Sequence, residues 1–143
     1  DRYTPPAEFK ANLTKFVKET RDKHATPILL TPVSRRKFDN AGNVMETHKI
    51  YSALTKEVAD SAKVLFIDLD TKSRDLYQSF GKDNSSLLFL QLKPGEHPNY
   101  PAGRNDNTHF SELGARLIAQ IVLAEIKKLD VELKDRIVIP KKK

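Results

Sequence analysis

Two short, continuously apolar runs constrain this chain most: Ile28-Leu29-Leu30 inside TPILLTPV (residues 26–33), and Val64-Leu65-Phe66-Ile67 ahead of Asp68. Neither alternates apolar with polar residues. Strands written this way are covered on both faces, as strands of parallel sheets are. Between them, from about Thr47 to Ala62, Tyr51, Leu54 and Val58 recur at helical spacing. A strand, a helical crossover and a second strand form the repeating unit of a parallel α/β sheet with helices on its faces.

The flanking sequence extends the pattern. Thr4-Pro5-Pro6 with Glu8 predicts a helix start, with Thr4 as N-cap and proline in the first turn. Phe9, Leu13, Phe16 and Val17 then share one face, and the helix is expected to end near Lys23 or His24. SRRKFDNAGNV (34–44) reads as a polar loop. A third helix is expected over about Thr71 to Phe80, closed by Gly81 as a left-handed cap. Leu87 to Leu92 reads as extended, and Pro94 to Asn107 as a long irregular segment of the kind that usually carries function. The last helix is expected from about Ser111 to Leu129, packing through Leu113, Leu117, Ile121 and Ile126. Residues 1–129 thus form the domain portion. Residues 130–143 form a basic tail, in which Arg136 to Ile139 is expected to add a short edge strand.

Only two strands are secure, and the chain opens on a helix. A doubly wound sheet usually has about five strands or more and begins with one. The expectation is therefore the later half of a larger α/β fold, with its amino-terminal half missing. Half a parallel sheet leaves an unpaired edge and an uncovered apolar face. Self-association, or partial disorder of the 94–109 segment, is expected from that.

Composition closes some routes. The absence of cysteine removes disulfides, thiolate chemistry and cysteine-ligated zinc. No apolar run approaches the ~18 residues of a membrane span. The net charge of +6 comes from dispersed residues, apart from Arg35-Arg36-Lys37 and Lys141-Lys142-Lys143. With no recognised motif and no interleaved aromatic stripe, nucleic acid is not an expected partner.

The chemistry concentrates in GRNDNTHFSELGA (103–115). His109 is the candidate general base, since imidazole can take and return a proton near neutral pH. Asp106, at i−3 on a tight turn before the helix, can fix its tautomer and stabilise the imidazolium. The bare spacing by itself favours the plainer reading, in which Asp106 merely caps the helix and His109 is a surface or satisfied core histidine. What favours a site is the position of residues 94–109, between an extended stretch and the last helix, where a loop reaches the carboxyl edge of a sheet.

No nucleophile accompanies the pair. The serines at 34, 52, 61, 73, 79, 85, 86 and 111 lie in no G-x-S-x-G elbow and in no G-D-S turn. His97, Asp106 and His109 lack the close, regular spacing of a metal site, so no metal is assigned. Arg35 and Arg36 follow the first strand. Either can grip a substrate carboxylate in a bidentate fork, or stand as a solvated loop charge.

Taken together, TPILLTPVSRRKFDNAGNV, VLFIDLD and YPAGRNDNTHFSELGA resemble the carboxyl-terminal half of an SGNH (GDSL-type) hydrolase, nearest its rhamnogalacturonan acetylesterase branch. The resemblance covers about residues 5 to 129. It implies a three-layer α/β/α sandwich with a parallel, flavodoxin-like sheet. It also implies ester hydrolysis by a serine in a G-D-S turn, with the serine amide, a glycine and an asparagine as oxyanion donors. Carried over, His109 is the base and Asp106 its partner, while the serine, glycine and asparagine blocks precede residue 1 and are absent. Gly103-Arg104-Asn105-Asp106 matches the family's G-x-N-D oxyanion block in letters but overlaps Asp106, so the match is read as coincidence.

The resemblance further implies deacetylation of pectic rhamnogalacturonan, an acetylated acidic polysaccharide, in an extracellular or periplasmic setting and without a cofactor. The isolated chain is expected to be inactive, its partner being the missing half of the same domain. The competing reading is a non-catalytic carbohydrate-binding or interaction domain on a flavodoxin-like scaffold, using Arg35, Arg36 and the 94–109 loop.

Overall fold

The structure is a computed structural model that describes residues 4–138. In chain order it contains α1 (Pro6–Asp22), β1 (Ile28–Leu30), α2 (Lys49–Ala62), β2 (Leu65–Ile67), α3 (Leu69–Asn84), β3 (Phe89–Leu92), β4 (Arg104–Phe110) and α4 (Glu112–Ile126). Short 3-10 turns cover Ser85–Leu88 and Glu132–Arg136.

β1 and β2 pair in parallel, Ile28 opposite Leu65 and Leu30 opposite Ile67. Alternation along β1 sorts the two helical layers. Leu29 packs with Val17, Val58 and Val64 under α1 and α2. Ile28 packs with Ile67, Leu69 and Ile118 under α3 and α4. A side chain as fully buried as Val58 stabilises its layer by roughly 1.5–3 kcal/mol. The strand, helix, strand unit expected from the two apolar runs is therefore present, with a helical pair on each face.

Both strands are shorter than the apolar runs suggest. Pro27 and Pro32 bracket β1, and proline has no N–H to offer a ladder. The chain instead leaves β1 through side-chain bonds: Thr31 Oγ1 donates to Asp68 and accepts from the N–H of Asp70 at 2.7 Å. Nor is β1 covered all round. Among the described residues it pairs only with β2, and along its free edge runs a cleft of about 650 Å³ floored by Phe9, Leu13, Leu30, Pro32 and Tyr51.

The sheet is also not purely parallel. β3 and β4 form a separate antiparallel pair, Phe89 opposite Phe110 and Leu92 opposite Arg104, irregular between Phe89 and Gln91. Only the end of the segment read as irregular, Arg104 to Asn107, belongs to the second arm of the hairpin; residues 94–103 are turns, as expected. Phe89 sits at the open end of the hairpin, its ring centroid 5.2 Å from those of both Tyr77 and Phe110. Gly103 is needed there: at φ 79° its Cβ would lie 2.6 Å from the carbonyl oxygen of Leu92.

Several local expectations change. Thr4 does not cap α1; Pro5 stands at the N-cap position without a side-chain bond, and the Thr4 carbonyl accepts from Tyr51 Oη at 2.8 Å. Phe16 is 59% exposed, turned into the uncovered hollow beside Phe9 and Leu13. α3 starts earlier than expected, because Asp68 accepts from the N–H of Thr71 and caps it. Gly81, at φ 74° and ψ 172°, interrupts the helical run after Phe80 as expected, and helical backbone resumes beyond it to Asn84. In α4 it is Ile118 that is buried, whereas Leu113 is 44% exposed. Arg136 belongs to a 3-10 turn rather than an edge strand, while Ile139 and Lys141 to Lys143 lie outside the described residues.

Candidate active site

Asp106 and His109 meet near the end of β4, in a turn just ahead of α4. The local fold follows from Asp106 itself. Its Oδ1 accepts the main-chain N–H of Thr108 at 2.7 Å and of His109 at 2.9 Å, curling the strand back on its carboxylate. Oδ2 then lies 2.8 Å from His109 Nδ1. Short polar side chains that bond the backbone two or three residues on build this kind of turn.

The electrostatics fix the tautomer. The main-chain N–H of His109 does most to hold the Asp106 carboxyl well below the usual carboxylate range. Partial burial opposes this, and the His109 ring and the N–H of Thr108 add to the lowering. An ionised carboxylate can only accept, so His109 Nδ1 carries the proton. Nε2 of the neutral ring is then the lone-pair nitrogen. The ring is 72% exposed and the Asp106 side chain only 9%, so the base faces outward from a sheltered partner. This is the geometry of an oriented general base.

Backbone contacts hold the pair from behind. Gln91 Nε2 donates to the carbonyl of Asp106 at 2.8 Å and lies 3.3 Å from Asn107 Oδ1. Arg104 reaches Asp106 Oδ2 at 3.4 Å, with its guanidinium 5.9 Å from the ring centroid of Tyr100. The sequence signal for Gln91 and Asn107 was weak: neither titrates, and each matters only through who faces it across the hairpin.

The two arginines part company. Arg35 is exposed and, among the described residues, its guanidinium has no hydrogen-bond partner; it stands at the rim of the β1 cleft near His48 and Tyr51. Arg36 is half-buried and turned inward, its Nε donating to Ser85 Oγ and its Nη1 to Asn107 Oδ1, both at 3.0 Å. Its Nη2 donates to the carbonyl of Lys82. His97 stands apart, accepting from the N–H of Asn99 beside Tyr100. Among the described residues no cluster of three or more His, Cys, Asp or Glu is placed to hold a metal ion.

No serine reaches His109. Ser34, Ser73 and Ser85 are buried. Ser34 Oγ lies against Thr47, and Ser73 Oγ accepts the N–H of Ser34 at 2.9 Å. Ser111, two residues along, caps α4 and donates to the carbonyl of Leu87 at 2.7 Å. Ser61, Ser79 and Ser86 donate to carbonyls of their own helical turns. Ser52 Oγ is buried without a partner.

Comparison with known proteins shows what the chain is similar to. The chain is 42% identical over 134 residues to the rhamnogalacturonan acetylesterase RhgT of Bacillus subtilis, covering 94% of this chain and 58% of that protein. It is 31% identical over 139 residues to YesY of the same organism, a probable rhamnogalacturonan acetylesterase, covering 96% of this chain and 59% of that one. The chain is thus similar to rhamnogalacturonan acetylesterases over most of its own length. Solved structures agree on the fold, that of the SGNH hydrolases. The Bacillus subtilis protein YxiM superposes on this chain with a TM-score of 0.74 at 23% identity, over 92% of this chain and 34% of its own. A mutant of the acetyl-xylooligosaccharide esterase Axe2 from Geobacillus gives a TM-score of 0.56 at 22% identity, over 85% of this chain and 47% of its own. The chain spans a little under three fifths of the length of the curated relatives it matches. No family model matches it.

Proposed function

We propose that this chain supplies the base half of a serine acetylesterase that removes acetyl groups from an acidic, pectin-type polysaccharide outside the cytoplasm. The observation that carries the reading is the 2.8 Å contact between His109 Nδ1 and the sheltered Asp106 carboxylate, with Nε2 turned to solvent. In the proposed reaction Nε2 takes the proton of a serine hydroxyl as that oxygen attacks the acetyl carbonyl. It then gives the proton to the departing sugar oxygen, and repeats the transfer with water to release acetate.

Because every serine of this chain lies away from His109, the nucleophile and the oxyanion donors are assigned to sequence outside residues 1–143. The same reading gives the β1 edge its partner, a strand of that further sequence. It also makes the isolated chain inactive, since neither the acyl-enzyme nor the oxyanion can be stabilised. The acetylesterase relatives support the substrate class. Exposed Arg35 remains the candidate for a uronate carboxylate; Arg36 does not, as its donors are engaged within the protein.

Acetate release tests the reading. A protein of the relatives' full length that carries this chain is expected to release acetate from acetylated rhamnogalacturonan, and His109→Ala to abolish it. Equal release by the His109→Ala variant would remove His109 from the chemistry. Faster release from acetylated xylan than from rhamnogalacturonan would overturn the substrate assignment.

A further inference from the structure

We infer that Arg36 is a positioning residue for the Asp106–His109 pair, acting through Asn107. The inference rests on the reading of His109 as the base, and it begins from a gap in the architecture. The β3–β4 hairpin that carries the pair shares no strand ladder with the parallel β1–β2 sheet. Something other than a sheet must fix the pair relative to the carboxyl edge of β1, where an open α/β sheet binds its ligand.

Arg36 spans that gap. It lies six residues past β1 and contacts a residue 71 positions further on. Its main-chain N–H donates to the Asn107 carbonyl at 3.0 Å, and its Nη1 donates to Asn107 Oδ1 at 3.0 Å. Two bonds to one residue, one to main chain and one to side chain, fix both the place and the tilt of Asn107. From the other side Gln91 Nε2 donates to the Asp106 carbonyl at 2.8 Å. Asn107 is therefore held by Arg36 at its carbonyl and its side chain, and Asp106 by Gln91 at its carbonyl, so that both residues are fixed beside the carboxylate that orients the base.

The guanidinium is itself held. Nε donates to buried Ser85 Oγ at 3.0 Å, Nη2 donates to the Lys82 carbonyl, and the group lies 5.9 Å from the Phe38 ring centroid. Ser85 Oγ completes the set by donating to the same Lys82 carbonyl at 3.1 Å. Among the described residues no carboxylate pairs with Arg36; its acceptors are a hydroxyl, an amide oxygen and a carbonyl. A planar fork reaching three separate acceptors is a task lysine cannot perform with one ammonium. The loop behind Arg36 is anchored too, since the Ser34 carbonyl accepts from Tyr77 Oη at 2.9 Å. The chain of contacts runs from the sheet through Arg36 to the base without touching the space in front of His109.

Amide hydrogen exchange on this chain tests the inference directly. In Arg36→Ala the Thr108 and His109 amides, which donate to Asp106, are expected to exchange on the order of ten-fold faster, while the Val17 and Val58 amides keep their protection. If Arg36→Ala does not fold, Arg36→Lys, which keeps the charge and the stem over Phe38, is read for the same change. Unchanged Thr108 and His109 exchange in a folded variant would overturn the inference.

Kinetics in the full-length protein separate positioning from substrate contact. Arg36→Ala is expected to lower kcat on the order of 10- to 100-fold with KM little changed, as for a misplaced catalytic group. Adding Asn107→Ala is expected to cost little more. A loss confined to KM, or additive effects of the two substitutions, would instead make Arg36 a substrate contact. Absence of esterase activity in the unmutated full-length protein would sink the esterase reading and leave the exchange result standing.

Discussion

Gly114, inside the HFSELGA stretch that follows the base, offers a test in which two effects oppose each other. Gly114 lies in the first turn of α4 and is buried. By helix propensity alone, Gly114→Ala should stabilise by about 1 kcal/mol, with some further gain from restricting the unfolded chain. The packing argues the other way. A Cβ built on Gly114 lies 2.0 Å from the carbonyl oxygen of Leu88 and 2.9 Å from Phe110 Cδ1. Ordinary contact starts at 3.4 Å, so α4 and the Leu88 carbonyl must separate by 3.4 − 2.0, or 1.4 Å. That carbonyl is backbone, cannot swing aside, and already accepts the N–H of Ser111 at 3.0 Å.

Overpacking costs about 1–3 kcal/mol, and losing the Ser111 bond adds about 0.5–1.5. These outweigh the propensity gain, for a net loss of about 0.5–3.5 kcal/mol. Urea unfolding followed by far-ultraviolet circular dichroism gives the number, with exposed Gln120→Ala in the same helix as the propensity control. A Gly114→Ala chain as stable as the parent, or more so, would refute the argument that close backbone approach dictates glycine here.

Other outcomes follow from single contacts. The depressed pKa of Asp106 stabilises the folded chain above the ordinary carboxylate value near ~3.9, and that contribution is lost as pH falls toward the folded value. The stability advantage of the parent over Asp106→Asn should therefore narrow below about pH 4 in urea titrations; an advantage that widens with acid would contradict it. Tyr77→Phe removes the donor to the buried Ser34 carbonyl and should cost about 1–3 kcal/mol by the same unfolding assay. Loss of only a few tenths would mean that the carbonyl finds another donor. The unpaired β1 edge and exposed Leu30 should drive concentration-dependent association of the isolated chain. Leu30→Lys should reduce it in sedimentation velocity, and a parent chain that stays monomeric at all concentrations would count against an open sheet edge.

The parts of the molecule legible in the sequence are those where one residue's chemistry or a short period decides the outcome. The two apolar runs dictated β1 and β2, since unbroken apolar stretches too short for a helix fit strands set between two helical layers. D-x-x-H placed the aspartate and the imidazole in reach of each other, and the carboxylate builds its own turn from the amides two and three residues on. The misreadings share a different cause. The hairpin was hidden because β4 reads RNDNTHF, a polar run with no strand alternation, and is held by partners across the hairpin rather than by its own propensity. Phe16 and Leu113 look like core residues by spacing, yet a helical period shows only which residues share a face, not whether anything covers it. Arg36 looked like a substrate contact because adjacent arginines after a strand are indistinguishable until their neighbours are known. One faces solvent, and its neighbour faces a serine and a carbonyl from one distant turn and an amide from another segment.

Hydrolysis of an aryl acetate by this chain, measured alone and after addition of the remaining length found in its relatives, tests the central claim most directly. The account predicts no turnover above buffer for the chain alone, turnover on reconstitution, and its loss when the added chain meets His109→Ala. Turnover by residues 1–143 alone that disappears in His109→Ala would contradict it, because the nucleophile would then have to lie among serines that the structure places away from the base.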